Sequence, residues 1–208
     1  MHYIKLLNLG LAVLFIVAAG QVYGTSQGYK ASVAESADDI CPILVGEAVP
    51  DVHLTTAQGE AFDLTAAVAQ QPTLLIFYRG GWCPFCNMHL SELQTVRADL
   101  LDMGYQIIAI SMDRPAKLRE SLQEHDLEYT LLSDSAAVAA TASGLAFRAA
   151  GSNPQRLESW SGEDHHILPV PAAFLVGTDG VIKFSYINPN YKVRANPEVI
   201  KAAARAEL

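Results

Sequence analysis

Two cysteines, Cys83 and Cys86, are separated by two residues in the stretch FYRGGWCPFC at residues 77–86. A pair at this spacing forms a structural disulfide, supplies two ligands to a metal, or works as a dithiol that is oxidised and reduced in turn. Closing so short a loop gains only about 2 kcal/mol, against about 4 kcal/mol for a loop of some forty residues. Zinc needs four ligands, and the sequence has no second Cys-x-x-Cys. The spacing favours a working dithiol, with a metal-binding or metal-delivery module completed by a histidine as an alternative.

The segments on either side of the pair place it at the start of a helix. Residues 73–78 are a continuous apolar run, typical of a strand buried on both faces, and residues 84–103 repeat leucine and valine at spacings of three and four. Residues 105–111 form a second apolar run, which predicts a βαβ unit with parallel strands. Pro84 suits the first helical position, so the first cysteine lies at the N-cap and the second in the first turn. The unpaired N–H groups and the helix dipole are expected to lower the pKa of a thiol there.

The remaining segments complete an α/β pattern. Two apolar runs around an Asp-Gly, residues 172–177 and 181–186, predict a β-hairpin. Residues 144–168 have no clear period and stay unassigned. The other predicted elements are strands at 52–56 and 129–133 and helices at 115–125, 135–143 and 197–206. We therefore predict an α/β fold with a central mixed β-sheet flanked by helices.

The composition indicates one acidic domain behind an N-terminal segment. The chain has 208 residues and a formal net charge of −8, which argues against a nucleic-acid-binding protein. A lysine followed by an apolar run is typical of a signal peptide, so residues 1–24 are predicted to direct export to the periplasm or the exterior. If it is not cleaved, this segment anchors the chain in the membrane. Residues 25–45 are predicted to be a linker or loosely held arm, and residues 46–208 the redox domain.

Several residues near the dithiol are candidates for supporting roles. Arg79 lies where its guanidinium would lower the pKa of a thiolate, or where it is simply exposed at the end of the strand. Trp82 is expected to pack against and shield the site. Cys41 is either a half-exposed thiol or a resolving partner for the active pair. From the sequence alone, Pro171 is an ordinary trans proline at the start of an edge strand.

Residues 77–87, FYRGGWCPFCN, strongly resemble the signature of peroxiredoxin-like proteins in the alkyl hydroperoxide reductase/thiol-specific antioxidant (AhpC/TSA) family of the thioredoxin-like superfamily. The resemblance extends over about residues 46–206, with support from residues 111–113, 131–134 and 170–176. It implies a thioredoxin-like fold and no organic cofactor. It also makes Pro171 a cis-proline that, with Val170, presents backbone groups to the substrate beside the cysteines.

The resemblance implies a thiol oxidoreductase but leaves its substrate open. Cys86 stands where peroxiredoxins carry the cysteine that attacks peroxide, but Cys83 replaces the threonine expected three residues earlier. Arg79 replaces an expected proline, and Pro171 stands where an arginine usually precedes the late strand. Cys-Pro-Phe-Cys is instead close to the Cys-Pro-Tyr-Cys of glutaredoxins, in which the first cysteine attacks a disulfide.

Together, the cysteine pair and the family resemblance predict a peroxiredoxin-like antioxidant enzyme that reduces hydroperoxides. The alternative is a dedicated disulfide reductase without real peroxidase activity. Either enzyme would form a Cys83–Cys86 disulfide, which an external thioredoxin-like or glutathione-like thiol then reduces. For disulfide exchange Cys83 is expected to attack, as the more exposed of the two and the N-cap residue. For peroxide the family pattern favours Cys86, although the helix position favours Cys83.

Overall fold

The structure is a computed structural model that describes residues 32–149, 151 and 153–207. Within these residues the strands are β1 (His53–Thr56), β2 (Ala61–Asp63), β3 (Thr73–Phe77), β4 (Gln106–Ser111), β5 (Thr130–Ser133), β6 (Ala146–Arg148), β7 (Ile167–Pro169), β8 (Ala172–Val176) and β9 (Ile182–Ile187). The α-helices are α1 (Leu64–Gln70), α2 (Pro84–Asp102), α3 (Pro115–Glu124), α4 (Val138–Ala142), α5 (Pro154–Ser161) and α6 (Pro197–Ala206).

A mixed sheet in the order β2-β1-β5-β4-β3-β8-β9 forms the centre of the domain, and β6 pairs with β7 beside it. Strands β3, β4 and β5 are parallel, which confirms the predicted βαβ unit around α2. Strands β8 and β9 are antiparallel, which confirms the predicted hairpin. Every residue of β3 is buried, as its continuous apolar run predicts.

Helices cover both faces of this sheet. Leu90, Leu93 and Val96 on α2 are buried in one hydrophobic core together with residues of α3 and α6. The second core lies on the other face and contains residues of α1, α4 and α5. The mixed sheet flanked by helices is the fold class that the sequence predicts. Cys83 and Cys86 belong to the α2 core, so the dithiol is built into the packed interior.

Two regions differ from the sequence prediction. Helix α4 begins at Val138, later than predicted, because the Asp134 carboxylate accepts the N–H groups of Ala139 and Ala140 after a turn with Ala137 at φ 57°. The unassigned residues 144–168 contain β6, α5 and β7. The bounds of α5 do have local signals, since Asn153 caps its start, a proline follows, and Gly162 ends it at φ 81°.

The described part of the predicted arm, residues 32–45, is packed against the domain. Val33, Ile40 and Ile43 contact the second core, and the Ile43 N–H donates to the Ser143 carbonyl at 3.1 Å. These apolar residues give the segment enough buried surface to hold it in place, so a loose arm is the wrong description of residues 32–45. The predicted signal segment and residues 25–31 lie outside the described residues. None of the helices in the described part of the chain has the length and apolar character needed to cross a membrane.

Candidate active site

The dithiol lies at the junction of β3 and α2. Cys83 is the N-cap of α2, Pro84 follows at the start of the helix, and Cys86 lies in the first turn. Cys83 was expected to be the more exposed thiol, but the exposed fractions are 1% for Cys83 and 0% for Cys86. The packing of Trp82 and Phe85 against the same core explains this burial. Cys83 nevertheless lines a pocket and Cys86 does not, so Cys83 is the sulfur that faces the pocket.

The two thiols differ in acidity. The pKa of Cys83 is lowered to about 5, chiefly because the neighbouring Cys86 thiol donates to its sulfur, with further contributions from the N–H groups of the first helical turn and the charge of Arg79. These N–H groups belong to Phe85 and Cys86. They make no capping hydrogen bond of normal geometry to the Cys83 sulfur, so they act through their dipoles. The pKa of Cys86 is raised well above its usual range by burial and by the negative Cys83. At neutral pH the pair therefore holds a thiolate at Cys83 and a thiol at Cys86.

A guanidinium faces each sulfur. Arg79 Nη1 lies 4.0 Å from Cys83 Sγ, and its Cζ lies 4.9 Å and 4.2 Å from the ring centroids of Trp82 and Tyr191. These cation–π contacts hold the guanidinium against the thiolate. The structure therefore places Arg79 at the dithiol, and not simply exposed at the strand end.

Arg194 is a site residue that sequence reasoning missed. Its Nη2 lies 3.2 Å from Cys86 Sγ, and its Nη1 donates to the Tyr191 and Val193 carbonyls, which fixes the loop between β9 and α6. The charge of Arg194 opposes the effect of burial on the pKa of Cys86. No local pattern marks this arginine, because it is 108 residues from Cys86 in the chain. The family pattern expects an arginine just before the late strand, where this chain has Pro171. Arg194 supplies a guanidinium to the site from the loop between β9 and α6 instead.

A pocket of about 540 Å³ opens in front of Cys83. Its walls come from the dithiol turn, from β6 and α5, and from the loops around β8 and β9. Among the described residues the lining is mostly apolar and aromatic, with two arginines and no aspartate or glutamate. The lining residues are Ala37, Arg79, Trp82, Cys83, Pro84, Phe85, Phe147, Ala149, Gly151, Asn153, Arg156, Leu157, Pro171, Pro189 and Tyr191. The segment that the sequence left unassigned thus forms one side of the access route.

A buried carboxyl holds the turn that leads to the dithiol. Asp113 has no exposed surface, and its Oδ2 accepts the Gly81 N–H at 2.7 Å. Gly80 lies at φ 145°, and a Cβ there would come within 2.6 Å of Asp113 Oδ1, so only glycine fits. Asp113 Oδ1 has no partner within the described residues. Burial raises the pKa of Asp113 to about 7, despite the hydrogen bond from Gly81.

The raised pKa of Asp113 predicts a pH-dependent stability. A carboxyl that binds a proton more tightly when folded stabilises the fold at low pH, and this contribution is lost as pH rises through its folded pKa. Between about pH 4 and pH 7, the unfolding free energy of wild type relative to Asp113→Asn should fall by at most about 1.4 kcal/mol per pH unit. Urea unfolding of both proteins across this range measures the difference. Asp102→Asn, at an exposed position, is the control, and parallel profiles for wild type and Asp113→Asn would contradict the assignment.

Of the other predicted site residues Pro171, Val170 and Cys41, only Pro171 lines the pocket. All described peptide bonds are trans, so the cis bond expected at Pro171 from the family resemblance is wrong; Pro171 lies in the short connection between β7 and β8. Pro171 lines the pocket, but Val170 is buried and its N–H already donates to the Leu145 carbonyl at 2.9 Å. That N–H cannot be presented to a substrate. Cys41 is exposed, is a free thiol, and is absent from the pocket lining.

Within residues 32–149, 151 and 153–207, no three metal-ligating side chains lie close enough together to hold an ion. The histidine nearest the dithiol in the chain, His89, is buried one turn after Cys86. Burial and the charge of Arg194 lower the pKa of His89 to about 4. A guanidinium that opposes a proton on this imidazole also opposes a metal cation there.

The chain is similar in sequence to a known protein family and to several known proteins. The AhpC/TSA family model matches residues 45–185, more than half of the chain. Peroxiredoxin Bcp of Escherichia coli (strain K12) is 31% identical over 93 residues, which cover 45% of this chain and 59% of that protein. A thioredoxin-like protein of Haemophilus influenzae is 26% identical over 93 residues, which cover 44% of this chain and 53% of that protein. The chain thus spans less than two thirds of the curated relatives it matches.

Solved structures of peroxiredoxins share the architecture. Reduced Prx3 of Vibrio vulnificus in complex with hydrogen peroxide aligns with a TM-score of 0.69 at 19% identity, covering 79% of this chain and 98% of that one. Peroxidoxin BcpB of Mycobacterium tuberculosis aligns with a TM-score of 0.63 at 19% identity, covering 78% of this chain and 96% of that one. These likenesses confirm the thioredoxin-like fold. Because the family model spans the βαβ unit, both cysteines and most of the β8–β9 hairpin, the chain belongs to the AhpC/TSA family.

Proposed function

We propose that the protein is a thiol-dependent peroxidase that reduces hydroperoxides through a Cys83–Cys86 dithiol/disulfide cycle. The observation that carries the proposal is the arrangement of the two sulfurs. Cys83 is acidic and faces the pocket, whereas Cys86 is a buried thiol directly behind it. A thiolate is the nucleophile toward peroxides, and a second thiol within reach converts the oxidised sulfur into a disulfide.

In the proposed cycle each sulfur has its own role. The Cys83 thiolate attacks one peroxide oxygen, the O–O bond breaks, and water or an alcohol leaves after taking up a proton. Cys83 is then a sulfenic acid. Cys86 loses its proton and attacks the Cys83 sulfur, which forms the disulfide and releases water. The guanidinium of Arg194 at 3.2 Å stabilises the Cys86 thiolate that this second step needs.

The relatives support peroxide as the substrate. The matching Escherichia coli protein is named a peroxiredoxin, and the Vibrio vulnificus Prx3 structure contains hydrogen peroxide. The departures at Arg79, Cys83 and Pro171 change which groups surround the peroxide. In this chain Arg79 and Arg194 provide the positive charge that polarises an oxygen or stabilises a sulfur anion.

Reduction of disulfides is the second candidate, because an acidic N-cap thiol also attacks a disulfide. The burial of Cys83 favours small disulfides over those of folded proteins, whose sulfurs would have to enter the pocket. Fast reduction of glutathione disulfide by the protein, with hydrogen peroxide consumed no faster than by free dithiothreitol, would move the assignment to a disulfide reductase.

Oxidation of the reduced protein by one equivalent of hydrogen peroxide tests the proposed function. We expect a mass loss of two hydrogen atoms and a tryptic peptide with linked Cys83 and Cys86. Dithiothreitol should restore both thiols and support repeated turnover. A protein that keeps both thiols after a tenfold excess of hydrogen peroxide or cumene hydroperoxide would contradict a peroxidase.

We also propose that the protein is exported to the periplasm or the exterior, on the basis of the apolar N-terminal run with a single preceding lysine. In either place an external thiol must restore the dithiol. Sequencing the N-terminus of the protein from its native cells tests this, since an intact Met1 on soluble protein in the cytoplasm would contradict export.

A further inference from the structure

We infer that the reductant of the Cys83–Cys86 disulfide is a small thiol that carries carboxylate groups, bound in the pocket in front of Cys83. This inference rests on the proposed dithiol cycle and names the partner of its reductive half. Three features of the molecule support it: the access to Cys83, the size of the pocket, and the charge of the pocket lining.

Access limits which thiols can act. In thiol–disulfide exchange, the attacking thiolate must reach one sulfur from the side opposite the sulfur that leaves. Cys86 has no exposed surface and does not line the pocket, so the attack has to come through the pocket to Cys83. With only 1% of Cys83 exposed between Trp82 and Phe85, the reactive cysteine of a folded protein would have to enter a recess. A small thiol can enter it freely.

The size of the pocket points to a molecule much larger than hydrogen peroxide. One water molecule occupies about 30 Å³ of liquid, and hydrogen peroxide is only slightly larger. The pocket volume of about 540 Å³ is more than ten times that. Pockets in this range bind compact organic molecules of tripeptide size.

The charge of the pocket selects an anion. Arg79 and Arg156 line the pocket, and no aspartate or glutamate is among its described lining residues, in a chain whose net charge is −8. In the described part of the chain Arg156 pairs with no carboxylate, and Arg79 contacts only the thiolate and aromatic rings. Their guanidinium groups therefore have donors left for a carboxylate, which they bind with good geometry.

Two molecules of the small thiol reduce the Cys83–Cys86 disulfide in two successive attacks. The first thiolate attacks Cys83 Sγ, the Cys83–Cys86 bond breaks, and Cys86 leaves as a thiolate next to Arg194. A second thiolate attacks the sulfur of the bound small molecule, and Cys83 leaves as its own stable thiolate. The products are the reduced enzyme and the disulfide of the small thiol, so two electrons pass from two thiols to the protein.

Matched thiols test the charge selection. The full-length protein is oxidised with diamide, so that the disulfide does not depend on peroxide chemistry, and its reduction is followed at pH 7.5. The probes are 3-mercaptopropionate against 2-mercaptoethanol, and glutathione against its monoethyl ester. Each rate is divided by the rate of the same thiol with 4,4′-dithiodipyridine, which removes differences in intrinsic reactivity. We expect the anionic member of each pair to be faster. For 3-mercaptopropionate against 2-mercaptoethanol the expected ratio is roughly tenfold, because Arg79 and Arg156 both attract the carboxylate.

Variants separate the pocket from general electrostatics. Arg156→Gln should reduce the advantage of the anionic thiol roughly threefold, whereas Arg205→Gln, on the exposed end of α6, should leave it unchanged. Equal normalised rates for charged and neutral thiols in wild type would overturn the inference. So would a thioredoxin that reduces the disulfide much faster than every small thiol at equal concentration. If diamide forms the disulfide and peroxide does not, the proposed peroxidase fails while the reductant is still tested.

Discussion

Replacing Cys83 by serine is expected to slow hydrogen peroxide consumption by about 10³-fold or more, because a serine hydroxyl in the same place is not ionised and cannot replace the thiolate. The reason is local to the N-cap of α2, where Cys86 and Arg79 keep the pKa of Cys83 at about 5. Most of the wild-type thiol is therefore already ionised at pH 7. Stopped-flow measurement of peroxide consumption with the reduced protein gives the rate.

The other two cysteines are the matched controls. Cys86→Ser should still react once with peroxide and then hold a sulfenic acid on Cys83 that dimedone traps. Cys86→Ala removes the side-chain donor altogether, so its reaction should slow below pH 8, because the hydrogen bond from Cys86 is the largest cause of the lowered pKa of Cys83. Cys41→Ser should turn over like wild type. If Cys83→Ser retains the fast reaction and Cys86→Ser loses it, the buried cysteine is the attacker and the assignment here is wrong.

Replacing Arg194 by glutamine is expected to slow formation of the disulfide roughly ten- to a hundredfold while leaving the initial attack on peroxide nearly unchanged. Burial already opposes ionisation of Cys86, and the guanidinium at 3.2 Å is the group that offsets it. Each pKa unit lost costs about 1.4 kcal/mol, which is a factor of ten in the thiolate population. The sulfenic acid should then accumulate, and the protein should become more sensitive to overoxidation by excess peroxide.

Two variants separate charge from loop structure, since Arg194 also donates to the Tyr191 and Val193 carbonyls. Arg194→Lys keeps the positive charge and should recover most of the rate of disulfide formation. Arg205→Gln removes an exposed charge elsewhere and should behave as wild type. If the lysine and glutamine variants are equally slow, Arg194 acts by shaping the loop and not by its charge on Cys86.

Local sequence determined the elements that carry the dithiol. The apolar run of β3, the spacing of Leu90, Leu93 and Val96 in α2, and the proline after Cys83 each specify structure within a few residues. A thiol at a helix N-terminus has its pKa lowered by groups that follow it directly in the chain. The position and lowered pKa of Cys83 were therefore predictable before the fold was known.

Tertiary structure decided what surrounds those sulfurs. Arg194 reaches Cys86 from the loop after β9, Asp113 holds Gly81 from the end of β4, and α5 brings Arg156 to the pocket from a segment whose short strands have no periodic signal. The same packing buried both sulfurs, so that Cys83, expected to be the more exposed of the two, differs from Cys86 only in facing the pocket. Each of these facts depends on contacts between distant segments, and such contacts are set by how the whole core packs. The sequence by itself determined the reactive pair, whereas the charges beside it and the route to it came only from the tertiary structure.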